Sequence, residues 1–184
     1  MATEKMNLIS MMNQAWERKH EVSAEEFEIK IKNLISHAFV EIEKLYVDFC
    51  KSKGYEYKDD VFYIFQRLFI YFIFTDGDFL QGEYDAYVKF CNWAKIEPLN
   101  VADCRSLNDR LTSQEIVNDI KLINAVRDAV DPENFTAMVQ GFCYMSLLGD
   151  KSFDENEYYI IRCFFQSGYD YCPADWETFK REWK

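Results

Sequence analysis

The sequence predicts an all-α protein, a pseudo-duplicated bundle of about seven to eight helices, and three observations carry that reading. Apolar residues recur every three or four positions along most of the 184-residue chain, and no stretch alternates as a strand would. Turn-makers are scarce, with 6 Gly and 3 Pro, which favours long helices over many short strands. Finally, a short pattern is written twice. Asp76-Gly77-Asp78-Phe79-Leu80-Gln81-Gly82-Glu83-Tyr84 returns 74 residues later as Asp150-Lys151-Ser152-Phe153-Asp154-Glu155-Asn156-Glu157-Tyr158. Asp, Phe, Glu and Tyr keep their offsets, and each copy sits between two apolar helical stretches.

Taken in order, Thr3 to about Lys19 reads as a helix with Leu8, Ile9, Met12 and Trp16 on one side. Ser23-Ala24-Glu25-Glu26 is a capping box, in which the Ser oxygen and the Glu carboxylate each satisfy a free backbone N–H. It opens a long helix through Phe27, Ile31, Leu34, Ala38, Ile42, Leu45 and Phe49, ended by Gly54. Asp59 or Asp60 opens an aromatic central helix running to about Thr75. That stretch is nearly all apolar, but Gln66 and Arg67 interrupt it and it falls short of the roughly 20 residues a membrane span needs, so it reads as a buried helix.

Past the first repeated turn, a helix through Tyr84, Tyr87, Val88, Cys91 and Trp93 is expected to stop at Glu97-Pro98. Residues 99–111 have room for one short helix. Thr112-Ser113-Gln114-Glu115 is a second capping box, leading into Ile116, Ile120, Ile123 and Val126. Asp131-Pro132 marks a further start, with Pro at the first helical position, and that helix runs through Phe135, Met138, Phe142, Met145 and Leu148. Glu155 to Ser167 and a terminal helix carrying Trp176, Phe179 and Trp183 complete the chain. The terminal three-ring stripe docks either on its own bundle or on a partner. The long helix from Ser23 to Lys53 raises the same question, because its amphipathic face could mediate self-association.

Charge and cysteines narrow the partners. The net charge is -11, and residues 1–54 hold 8 Lys/Arg against 9 Asp/Glu, so the acidity belongs to the remainder. Such a field repels nucleic acid and anionic membrane surfaces and suits cations or basic proteins. Six scattered cysteines form no CxxC and no zinc-like spacing; together with an N-terminus lacking an apolar signal stretch, they predict a reducing cytoplasm.

The repeated turn has a structural reading and a chemical one. In the second copy Asp154 and Glu157 stand at N-cap and N3 of the next helix, with Phe153 and Tyr158 placed as a hydrophobic staple. In the first, Phe79, Tyr84 and Glu83 recur, but the cap position is Leu80, leaving Asp78 to cap from one position earlier. Gly77 supplies a positive φ cheaply. Capping leaves Asp76 and Asp150 unexplained, since a negative charge at a helix C-terminus opposes the dipole. The chemical reading is a Ca²⁺ or Mg²⁺ ion held by Asp76, Asp78 and Glu83, or by Asp150, Asp154 and Glu157. An EF-hand is excluded: aligning Gly77 with the loop glycine puts Phe72 and Phe74 at the first and third ligand positions.

An apolar helix, then Asp-Gly-x-apolar-x-x-x-Glu, then a second apolar helix resembles the TerB-like (tellurite-resistance) family over roughly residues 60–168. The match rests on Asp76, Gly77 and Glu83, with Asp150 and Glu157 in the second copy, where Lys151 replaces the Gly. The resemblance implies a helical bundle with clustered acids, divalent-cation binding and a non-enzymatic interaction or sensing role in bacterial stress response. It divides the chain into an N-terminal helical arm, 1–54, packed on or extending from the bundle, and a TerB-like bundle, 55–184, with two related helix-turn-helix units.

Other chemistry finds little footing. Glu17-Arg18-Lys19-His20 has the ExxH spacing of di-iron bundles, but His37, the only other histidine, lacks the matching Glu. His37 and Glu41 are four apart on a helix, where a side-chain contact is the default. No Ser-His-Asp set and no phosphate-binding loop is present. Three functions therefore remain: a TerB-like module holding a divalent cation, a metal-free adaptor or inhibitor that binds a basic protein, and a metal-dependent hydrolase on the same carboxylates.

Overall fold

The computed structural model describes residues 6–54, 61–73, 81–125, 132–149, 153–165 and 170–183. Among these the fold is all-helical, with nine helices. They are α1 (Leu8–Glu21), α2 (Ala24–Lys53), α3 (Val61–Ile73), α4 (Gln81–Ala94), α5 (Val101–Arg110), α6 (Ser113–Ala125), α7 (Pro132–Gly149), α8 (Glu155–Arg162) and α9 (Trp176–Glu182). The count exceeds the expected seven to eight because residues 101–110 form a helix of their own, whose Asn100 side chain accepts from the Asp103 N–H at 3.0 Å.

Local chemistry sets most of the boundaries. Both the Ser23–Glu26 and the Thr112–Glu115 boxes form reciprocally: the Glu26 carboxylate accepts from Ser23 N–H at 3.0 Å, and that of Glu115 from Thr112 N–H at 2.8 Å. Gly54 closes α2 in the left-handed region, at φ 67°. Two expected ends shift. α4 stops before Pro98, because Lys95 takes φ 59° and the Ile96 N–H reaches back to the Cys91 carbonyl at 2.9 Å, a Schellman-type close. α8 ends at Arg162 rather than Ser167, and Cys163, Phe164 and Phe165 continue as turns bonded to carbonyls three residues back.

One hydrophobic core joins these helices. α7 lies at its centre, against α1, α2, α4 and α8, while α3 touches α4, α5 and α6. The aromatic wealth of the sequence is spent here, with Phe39 and Phe65 at 4.3 Å between ring centres and Phe69 stacked on Phe90 at 5.1 Å. α2 and α7 approach closely at Gly141, where a Cβ would stand 3.3 Å from Ile35 Cγ1. The segment before α1 pairs with the segment before α9: Leu8 N–H donates to the Tyr171 carbonyl at 3.0 Å, and Tyr171 N–H to that of Met6 at 2.8 Å. No helix of the described residues is long and apolar enough to cross a membrane.

Candidate functional site

The two copies of the repeated sequence run into α4 and α8. Of the six carboxylates expected to hold a cation, Glu83, Asp154 and Glu157 are described, while Asp76, Asp78 and Asp150 lie outside the described residues, as do Gly77, Phe79 and Leu80. Glu83 is half-buried at the third position of α4. In the second copy the two acids face each other's backbone. Asp154 Oδ1 accepts from Glu157 N–H at 2.9 Å, and Glu157 Oε2 accepts from Asp154 N–H at 2.9 Å. This is the expected capping box, and it commits one oxygen of each carboxylate to the helix start. Among the described residues no three His, Cys, Asp or Glu side chains are grouped to hold a metal ion.

Phe153 and Tyr158 meet through the last helix. Both rings pack against Trp176 and Phe179, at 5.1 to 6.1 Å between centres, and Phe153 also touches Trp183. Phe179 is wholly buried, so the terminal aromatic stripe docks on its own bundle. The Tyr158 hydroxyl donates to the Pro173 carbonyl, and the Tyr84 hydroxyl donates to that of Leu99 at 3.2 Å.

Between α3, α4 and the segment after α4 lies a buried polar network. Gln66, which interrupts the apolar run of α3, donates to the Tyr87 hydroxyl oxygen at 2.9 Å and to the Glu97 carbonyl at 3.3 Å. The same Tyr87 oxygen accepts from Leu99 N–H at 3.0 Å. Burial pushes the Tyr87 hydroxyl well above its ordinary range. It also raises the Cys104 and Cys172 thiols, each to about 11, and drives Cys91 and Cys143 upward. At neutral pH these four thiols stay protonated and behave as small hydrophobes.

Arg67, the other interruption in α3, forms a fork with Asp119 of α6, Nε and Nη2 each 2.9 Å from a carboxylate oxygen. Beside the pair runs an open groove of about 550 Å³ walled by Leu107, Arg110, Leu111, Glu115 and Asn118. Sequence reasoning marked Arg67 as anomalous but had no route to its partner 52 residues away. The ExxH residue His20 packs its ring at a tilt against Trp16, 4.3 Å between centres, and its Nδ1 lies 2.7 Å from the Trp16 carbonyl, both on its own helix. The His37 side chain is outside the described set.

No family model, no curated protein and no solved structure matches the chain.

Proposed function

We propose that the protein is a non-enzymatic binding module whose acidic surface holds a basic protein partner. The observation that carries this reading is the Asp154–Glu157 box: these two acids serve the start of α8, which leaves the long-range field of a chain with net charge -11 as the property open to a partner. The TerB-like resemblance through Asp76, Gly77 and Glu83 supports a sensing or interaction role in bacterial stress response. The reading as two related units is supported by the matched bonds of Tyr84 and Tyr158, and cytoplasmic residence by six unpaired thiols. The test is titration of a Lys/Arg-rich peptide at low and high salt. Binding that weakens steeply with salt is expected; no binding at low salt refutes the reading.

A second reading, a divalent cation at Asp76, Asp78 and Glu83, is favoured by one specific placement. Glu83 is a half-buried carboxylate in the first turn of α4, seven residues after Asp76, the acid of this copy that capping leaves unexplained. Thermal melts after chelation, with Ca²⁺, Mg²⁺, Mn²⁺ or Zn²⁺ restored singly, decide it. A rise in Tm that Asp76→Asn removes makes the turn a metal site, and no rise with any ion removes the reading.

A further inference from the structure

We infer that the outer face of α2 is a homodimer interface on which a second copy of this chain lies antiparallel. The two most exposed large aliphatic side chains among the described residues are Val40 at 59% and Ile29 at 50%, and both belong to α2. Eleven positions separate them, which is three helical turns and a small rotation, so they share one face. Ser36 and Val47 fall on the same stripe at 3.6-residue spacing. Phe27, Ile31, Ile35 and Ile42 point the other way, into the core. This helix therefore buries one apolar stripe within its own chain and, on the opposite face, presents Ile29 and Val40 to solvent beside the half-buried Ser36 and Val47.

Charge selects the occupant. Two copies of a chain with net charge -11 repel through most of their surface, and the acidity is concentrated after residue 54. Residues 1–54, with 8 cationic and 9 anionic side chains, are where a second copy meets the weakest field. A basic partner, by contrast, is drawn to the other part of the molecule.

The stripe is also complementary to itself. A two-fold axis on this outer face, at the height of residue 38 along the helix, sets Ile29 against the partner's Val47 and Val40 against the partner's Ser36, and brings Glu26 near the partner's Lys51 on the same flank. The contact is isologous and closes as a dimer rather than growing into a filament. α2 has 30 residues and spans about 45 Å, long enough for the whole pairing. With few aliphatic anchors per copy, dimerisation in roughly the micromolar range is expected.

Sedimentation velocity over a dilution series tests the inference, using the full chain with Cys163→Ser to remove the exposed thiol. A concentration-dependent dimer is expected, and Val40→Glu should weaken it by about tenfold or more while the thermal melt of the dilute monomer stays unchanged. For the register, Ile29→Cys protein is mixed with Val47→Cys protein under oxidation. The antiparallel pairing predicts a 29–47 disulfide and no 29–29 disulfide, since two copies of position 29 would lie about 27 Å apart along the axis. A protein that stays monomeric at all concentrations overturns the inference. So does a dimer that survives Val40→Glu, which would place the interface elsewhere, or one that links position 29 to itself, which would make it parallel.

Discussion

Tyr84 and Tyr158, 74 residues apart in sequence, make the same bond: each hydroxyl donates to the backbone carbonyl fifteen residues ahead, Leu99 in one case and Pro173 in the other. Each ties the helix after a repeated turn to the segment leading into the following helix. Tyr158 is wholly buried, whereas Tyr84 is half-buried. Tyr158→Phe should therefore cost about 1–3 kcal/mol by leaving a buried carbonyl without its donor, and Tyr84→Phe about 1 kcal/mol or less. Urea unfolding of the two variants measures the difference, and equal losses would contradict the burial argument.

The Arg67–Asp119 fork joins α3 to α6, with the side chains 22% and 10% exposed. Removing one partner strands a poorly solvated charge, so Asp119→Ala should cost about 2–3 kcal/mol. Replacing both, as Arg67→Met with Asp119→Leu, removes the stranded charge along with the pair. The double variant should recover more than half of the single loss in a double-mutant cycle.

Gly141 sits where α2 and α7 approach closely, and the position is set by contact rather than by backbone conformation. With Ile35 Cγ1 at 3.3 Å from an added Cβ, the helix-propensity gain of Gly141→Ala is offset by displacement of Ile35. That variant should be near neutral, while Gly141→Val should lose about 2–3 kcal/mol by overpacking. Thermal unfolding of the pair checks the order.

Lys95 closes α4 at φ 59°, a conformation that costs an L side chain and not a glycine. Lys95→Gly should stabilise the protein by about 0.5–1 kcal/mol. A loss on denaturant unfolding would mean that the lysine side chain contributes more than its backbone costs.

The helix starts carry a pH signature. Backbone N–H groups of Ser23, Thr112 and Thr178 hold the carboxyls of Glu26, Glu115 and Asp175 below their ordinary values of 4.5, 4.5 and 3.8. The unfolded chain then takes up these protons at higher pH than the folded one. The resulting stability is complete above the ordinary carboxylate range and is lost as pH falls through the lowered folded values. Tm should drop between pH 5 and acid, and Thr112→Ala should lower the neutral Tm while flattening the acid limb. A melting temperature unchanged down to the lowered values would rule this out.

The sequence by itself determined the features that depend on neighbours within one turn. The boxes at Ser23, Thr112 and Asp154, the stop at Gly54 and the start at Pro132 need only residues three or four positions apart to find each other's backbone. Helical spacing likewise marked Phe27, Ile31 and Ile42 as core before any partner was known. Ends set by backbone conformation were less legible. Lys95 in the left-handed region carries no side-chain signal, so Pro98 looked like the stop.

Tertiary structure alone decided what meets what. Gln66 and Arg67 interrupt an apolar run without saying why, and only the fold supplies Tyr87 and Asp119, 21 and 52 residues away, as their partners. The same holds for the terminal rings: Trp176, Phe179 and Trp183 form a helical stripe in any context, yet only packing against Phe153 and Tyr158 makes it part of the core. A side chain's periodicity fixes which way it points, whereas its partner depends on where the chain returns, and that is settled by the summed burial of all the helices at once.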